Sequence, residues 1–178
     1  MFKSKIDDTQ EMVKLNFAVL AVSDTRTLET DDSGALLKEM IEESGHNVLD
    51  RDIVTDDKQL IRQRVQQWIS NADIDVVITT GGTGFSQRDV TPEALEPLFD
   101  KVMDGFSVLF HQYSAAQIGT STIQSRATGG LAGETLIFCL PGSRGACRDG
   151  WQGVINFQLD SRHKPCNFLE VLPKYSSR

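Results

Sequence analysis

Asp75-Val76-Val77-Ile78-Thr79-Thr80-Gly81-Gly82-Thr83-Gly84 is the stretch on which the fold turns. Its first half is a short unbroken apolar run, the mark of a strand buried on both faces of a parallel sheet. Its second half is a glycine-rich turn entered directly from that strand. The same pattern recurs at Phe17-Ala18-Val19-Leu20-Ala21-Val22, which ends in the polar loop Ser23 to Thr27. It recurs again from Thr135 to Leu140, which stops at Pro141-Gly142-Ser143, and Val48 to Val54 reads as a further strand. Helical spacing fills the intervals. Asp31-Asp32-Ser33 offers caps for a helix with Leu36, Leu37, Met40 and Ile41 on one face, stopped by Gly45. Asp56-Asp57 opens a second, with Leu60, Ile61, Val65, Trp68 and Ile69 at helical spacing. Others begin near Thr91-Pro92-Glu93, span Phe106 to Ile118, and carry Trp151, Val154 and Ile155. Strands alternating with helices predict an α/β fold, a three-layer α/β/α sandwich with a mainly parallel sheet.

The 178 residues suit one domain. The reading places it at 15–178, after a flexible extension over 1–14, with an irregular tail from Ser161 that holds Pro165 and Pro173. A hydrophobic share of 39% and a charged share of 24% exclude a disordered chain, a collagen or a coiled coil. The apolar runs are too short to cross a bilayer, and the polar segment Phe2 to Glu11 lacks the pattern of a secretion signal. A cytoplasmic protein with no membrane partner is expected. The net charge of −7, without any run of lysine or arginine, argues against nucleic acid. Small anions remain compatible, because backbone amides or a metal ion can hold a phosphate. Cys139, Cys147 and Cys166 are odd in number and lack a CxxC spacing, so neither a disulfide framework nor a zinc site is expected. His46, His111 and His163 are too scattered to suggest a nucleophilic triad.

In an open α/β sheet, ligands sit beyond the carboxyl ends of the strands. Of the three loops there, Gly81 to Asp89 is the most informative: its glycines let the backbone approach an anion closely, and Thr83 and Ser86 add hydroxyls. A tight turn needing positive φ would also account for a glycine. The P-loop pattern is excluded, since no Gly-Lys-Ser or Gly-Lys-Thr occurs. The dinucleotide fingerprint fails as well, since Gln87 stands where its last glycine belongs. Asp89 and Asp56 could bridge to a phosphate through Mg²⁺, which is bound through one or two carboxylates. Equally, Asp56 could cap a helix and Asp89 could pair with Arg88. Pro141-Gly142-Ser143 is a second strand-to-helix junction with free amides, and Thr120 to Thr122 with Ser125 and Arg126 could add donors. Phe106, Leu109, Phe110 and Tyr113 form a stripe for core packing or for a subunit contact.

Across Thr79-Thr80-Gly81-Gly82-Thr83-Gly84 and Arg88-Asp89-Val90-Thr91-Pro92-Glu93-Ala94 the chain resembles the MoaB/Mog family of molybdenum cofactor biosynthesis. The match runs from about Asn16 to Phe168 and takes in Val22-Ser23-Asp24, Asp31-Asp32-Ser33-Gly34 and Leu140-Pro141-Gly142-Ser143. Gln124-Ser125-Arg126-Ala127 and Pro165-Cys166-Asn167-Phe168 are similar to the MoaB branch. The resemblance implies a molybdopterin-binding fold assembled as a trimer or hexamer. It implies a Mg²⁺-dependent adenylyltransferase that moves AMP from ATP to the terminal phosphate of molybdopterin, releasing pyrophosphate. A non-catalytic molybdopterin carrier or scaffold is the alternative. Carried over by position, the family's two important acidic residues match Asp56 and Asp89, as metal ligands or as groups orienting the attacking phosphate. Gly81, Gly82, Thr83 and Gly84 match its ligand-binding segment, with Ser23 and Asp24 in a polar loop beside it. Ser125, Arg126, Pro141, Gly142 and Ser143 fall around the pterin or its phosphate. The chain departs from the family at Gly145, where many members carry lysine, with Arg144 just before it.

Overall fold

A computed structural model describes residues 5–176. The chain runs through β1 (Lys5–Ile6), β2 (Asn16–Val22), α1 (Asp32–Glu43), β3 (Asn47–Val54), α2 (Lys58–Ile69), β4 (Val76–Thr80) and α3 (Thr91–Leu95). It continues through β5 (Lys101–Val102), α4 (Asp104–Ile118), β6 (Thr128–Ala132), β7 (Thr135–Leu140), α5 (Arg144–Gly150), α6 (Asn156–Leu159) and β8 (His163–Lys164). Trp151–Ile155 forms a π-helical turn between α5 and α6, and Gly119–Gln124 a 3₁₀ segment after α4.

Six strands form the central sheet in the order β3-β2-β4-β7-β6-β5. The pairs β3–β2, β2–β4 and β4–β7 are parallel, while β6 runs antiparallel to both β7 and β5. The three inner parallel strands explain the unbroken apolar runs, because side chains alternate between two covered faces. Phe17 and Val19 of β2, Val76 and Ile78 of β4, and Leu136 and Phe138 of β7 face the layer of α1, α4 and the 144–159 helical stretch. Ala18 and Leu20, Val77, and Ile137 and Cys139 face the layer of α2 and α3. The three-layer α/β/α sandwich is thus the observed architecture.

The expected helices form with local differences. Asp31 caps α1 by accepting from the Gly34 amide at 3.0 Å, and α1 buries Leu37, Met40 and Ile41. In α2, Ile61, Val65 and Trp68 are buried, but Leu60 is 46% exposed because it falls on the outer side of the first turn. The antiparallel edge was not foreseen. β6 reads Thr-Gly-Gly-Leu-Ala, a composition poor in strand formers, and it pairs because β7 presents an open edge. Phe106 and Phe110 are buried in the core, and Leu109 remains partly exposed.

Nor are the two ends as loose as the composition suggested. β1 pairs with β8 antiparallel, and the Val13 amide donates to the Ser161 hydroxyl at 2.9 Å. Leu169 and Leu172 of the tail are buried against the core. Residues 1–4, the start of the expected extension, lie outside the described residues. Cys139 and Cys147 are buried free thiols and Cys166 is an exposed one. Among the described residues no helix is long and apolar enough to cross a membrane.

His46 follows α1 and is packed between Phe17 and Trp151, with ring centroids 5.3 and 6.4 Å away. Its Nδ1 accepts from the Leu15 amide at 3.2 Å, so the proton resides on Nε2, which is buried without a partner. Burial lowers its pKa from 6.5 to about 4, against the pull of the Asp160 and Asp75 charges. The unfolded chain therefore takes up this proton at a higher pH than the folded one, and stability falls as pH drops through 6.5 towards 4. Urea unfolding at pH 7 and 4.5 should show His46→Gln losing about 2.5 kcal/mol less than the wild type between the two conditions. Equal losses in the two proteins would remove His46 as the cause.

Candidate functional site

The four parallel strands end on the same side of the sheet. β2 gives way there to the loop from Ser23, β3 to Thr55-Asp56-Asp57, β4 to the glycine loop, and β7 to Pro141-Gly142-Ser143. The chain leaves β2 for β3 on one side and returns to β4 on the other, so a crevice opens at this switch point. A cavity of about 640 Å³ occupies it. Ser23, Asp56, Gly81, Gly82, Thr83, Gly84, Asp89, Ser125, Pro141, Gly142 and Ser143, all expected at the site, line this one space. Asp24 and Arg126, also expected there, are not among its lining residues but bond to segments that are.

Backbone bonds lace the loops together. The Gly81 amide donates to the Leu140 carbonyl at 3.0 Å, and the Thr91 hydroxyl donates to the Gly81 carbonyl at 2.8 Å. Thr80 donates its hydroxyl to the Pro141 carbonyl at 3.0 Å, and Ser33 donates its own to the Gly142 carbonyl at 2.9 Å. Gly81 and Gly82 take φ of +107° and +65°, the left-handed region that side chains disfavour. The tight-turn and ligand-loop readings of these glycines are therefore compatible.

The two carboxylates are free of the bland roles open to them. Asp57, not Asp56, caps α2, accepting from the Gln59 and Leu60 amides at 2.8 and 3.0 Å. Arg88 does not pair with Asp89; it makes a two-pronged bond to Asp24 at 2.9 and 2.7 Å. Asp24 in turn accepts from the Asp56 amide at 3.1 Å, so it ties the β2 and β3 loops to the glycine loop. Asp56 is raised above the ordinary carboxylate range by burial first and then by the Asp24 and Asp89 charges, with Arg88 pulling the other way. Burial also pushes on Asp89, but the Ser86 side chain, the Ser86 and Gly84 amides and the Arg126 charge hold it below its usual value. Its Oδ2 accepts from the Ser86 amide at 2.9 Å.

Asp31, Asp32, Ser33 and Gln124 also line the cavity but were not singled out as site residues, and Arg26 and Arg144, in two of the candidate loops, join them. Arg26 and Arg144 bring two cations to a wall otherwise rich in carboxylates, and Arg144 does so from the first turn of α5. The Asp-Asp-Ser start of α1 was visible as a cap, but not as a wall of the cavity. Arg126, expected around the pterin or its phosphate, bonds to the protein at each side-chain nitrogen. Its Nε donates to the Gly84 carbonyl at 2.9 Å and its Nη2 to the Asp89 carbonyl at 2.8 Å, while Nη1 pairs with Glu93. Through these bonds it holds both ends of the glycine loop.

Sequence comparison matches residues 18–161 to the probable molybdopterin binding domain. The chain belongs to this family of molybdenum cofactor biosynthesis proteins. It is 47% identical over 164 residues to molybdenum cofactor biosynthesis protein B of Escherichia coli K12, covering 92% of this chain and 96% of that one. A crystal structure of molybdenum cofactor biosynthesis protein B superposes with a TM-score of 0.82 at 44% identity, over 84% of this chain and 94% of the other. The tungsten cofactor synthesizing protein MoaB from Pyrococcus furiosus superposes with a TM-score of 0.71 at 35% identity, over 78% and 89% of the two chains.

Arg88 is the charge that opposes the rise of Asp56, and it also neutralises Asp24 beside it. In the metal-free protein, Arg88→Ala should therefore move the Asp56 titration, followed by carboxyl ¹³C NMR, to higher pH. A titration that stays in place or moves down would refute this electrostatic account.

Proposed function

We propose that this protein is a Mg²⁺-dependent molybdopterin adenylyltransferase. An oxygen of the molybdopterin terminal phosphate attacks the α-phosphorus of ATP; the new P–O bond forms as the α–β bond breaks, and pyrophosphate leaves. No electrons change hands, and no covalent enzyme intermediate is needed. The observation that carries this reading is the pairing of Asp56 and Asp89 with the Gly81–Gly84 backbone on the wall of one cavity. Family membership supplies molybdopterin as the ligand class.

The donor set suits Mg²⁺. Among the described residues no three His, Cys, Asp or Glu groups gather into a metal site, so a protein-only cage is absent there. Mg²⁺ instead favours one or two carboxylates completed by substrate phosphates and water. Asp56 is raised first by burial and then by the Asp24 and Asp89 charges, and a cation at that wall would favour its charged form. Asp56 and Asp89 would hold the ion, which would screen the triphosphate charge. The loop backbone can approach the transferred phosphoryl group, because Gly82 carries no side chain between it and Asp56; a Cβ there would lie 3.2 Å from Asp56 Oδ1. Arg26 and Arg144 supply positive charge for the remaining anionic groups. Positioning and electrostatics are the chief demands of phosphoryl chemistry, and a preformed wall meets both.

With purified protein, molybdopterin, ATP and Mg²⁺, adenylyl-molybdopterin and pyrophosphate should accumulate together. Asp89→Ala should lower kcat by about 10²–10³-fold while molybdopterin still binds. Tight pterin binding without product in the wild type would assign the protein to the carrier class.

The same reading includes a homo-oligomer, trimer or hexamer. Its support is the set of exposed apolar side chains on the segment 102–123, with Val102 56%, Val108 64%, Ile118 54% and Ile123 71% exposed. Light scattering should give a mass three or six times that of the chain, and Val108→Glu should reduce it. A monomeric wild type would overturn the assembly.

A further inference from the structure

Arg126 turns its amide and all three side-chain nitrogens on the Thr83–Asp89 loop and the helix that follows it. Its amide donates to the Thr83 carbonyl at 2.9 Å, Nε to the Gly84 carbonyl at 2.9 Å, and Nη2 to the Asp89 carbonyl at 2.8 Å. Nη1 pairs with Glu93, just inside α3, and the guanidinium carbon lies 5.5 Å from the centre of the Phe85 ring. Neither end of the loop is left to itself. Its start is held at Thr83 and Gly84, its far end at Asp89, and the helix that follows at Glu93. The neighbouring Gln124 and Ser125 line the cavity, whereas Arg126 lies outside it. Each side-chain nitrogen of Arg126 already has a protein acceptor, so three of its five N–H groups are engaged within the protein.

From this geometry we infer that Arg126 is a positioning residue that fixes the Asp89 carboxylate by clamping the Thr83–Asp89 loop, and is not a ligand of the substrate. The inference rests on the adenylyl-transfer reading for its catalytic consequence, but not for the clamp itself. The mechanics are internal to the loop. Asp89 carries its carboxylate back onto the Ser86 amide at 2.9 Å, and its own amide donates to the Ser86 carbonyl at 3.1 Å. Those bonds close a small ring; Arg126 fastens that ring to the segment leading into β6. Lysine cannot replace it, because one ammonium on a flexible stem cannot reach acceptors at Gly84, Asp89 and Glu93 together in the fixed fork that guanidinium provides. The side chain of Glu93 is a separate anchor on one prong. Its loss leaves the carbonyl bonds intact.

The test compares wild type, Arg126→Lys and Glu93→Gln by hydrogen exchange of the metal-free protein, by molybdopterin binding and by turnover. In Arg126→Lys the amides of Ser86, Asp89 and Thr91 should exchange at least about tenfold faster while those of β2 and β7 keep their protection. kcat should fall about 30-fold with KM for molybdopterin within about threefold, a split that general loss of structure would not give. Glu93→Gln should keep kcat within about threefold of the wild type. Unchanged loop exchange in Arg126→Lys would overturn the clamp. So would a molybdopterin Kd weakened about tenfold with loop exchange intact, the behaviour of a direct ligand. If the wild type shows no turnover, the adenylyl-transfer reading fails, yet exchange and pterin binding still decide the role of Arg126.

Discussion

The backbone of Gly81 passes so close to β2 that a methyl group on it would stand 2.2 Å from the Val22 carbonyl oxygen. That approach is possible because β2 and β4 are neighbouring parallel strands, paired Ala21 to Thr80 at their ends. It also requires a residue without Cβ as the chain leaves β4. From this point the rest follows in order. The Gly81 amide reaches the Leu140 carbonyl of β7, its carbonyl accepts from Thr91, and the loop must then turn back towards Asp89. The cavity exists because four strand ends and their loops are drawn to this one place.

The electrostatics of the site resolve an apparent conflict in the sequence. A chain of net charge −7 is a poor place for an anion on average, but the average is not what a ligand meets. The charges around the crevice are sorted. Arg88 is occupied with Asp24 and Arg126 with Glu93, so these cations are spent within the protein. Arg26 and Arg144 lie on the wall, as do Asp56 and Asp89. A highly charged phosphate with a divalent counter-ion suits such a mixed surface better than it would suit a uniformly basic one. Asp24 is an organiser here: it draws the β2, β3 and glycine loops together through the Asp56 amide and Arg88.

Much of the stability sits away from this crevice. On one side of the sheet Phe17, Phe110, Phe138 and Trp151 are almost wholly buried, and on the other Ile61 and Val65 of α2 close over Leu20 and Val77. The glycine loop itself contributes little apolar burial, with Phe85 72% exposed. A rigid sheet carrying loops held by polar bonds is a common division of labour, because recognition needs backbone that can come close to a ligand. The Arg51–Asp31 ion pair at 3.0 Å belongs to this framework, fixing the start of α1 where Ser33 reaches Gly142.

The sequence by itself determined the α/β class, the inner parallel strands and the loops that matter. Unbroken apolar runs ending in glycine or proline turns can be accommodated in few other ways, and the glycine loop with its downstream aspartate stood out by local pattern as the candidate wall that the fold lines up on one cavity. Tertiary structure decided the rest. Local pattern gave Asp56 a possible helix cap and Asp89 a possible salt bridge; only the fold shows Asp57 taking the first role and Asp24 taking Arg88. The Gly-Gly strand β6 was invisible because its pairing is supplied by β7 rather than by its own side chains. The contacts of Arg126 were hidden for the same reason: a sequence records that a cation is present, whereas the carbonyl oxygens it bonds come from residues some 40 positions away and are brought together only by folding.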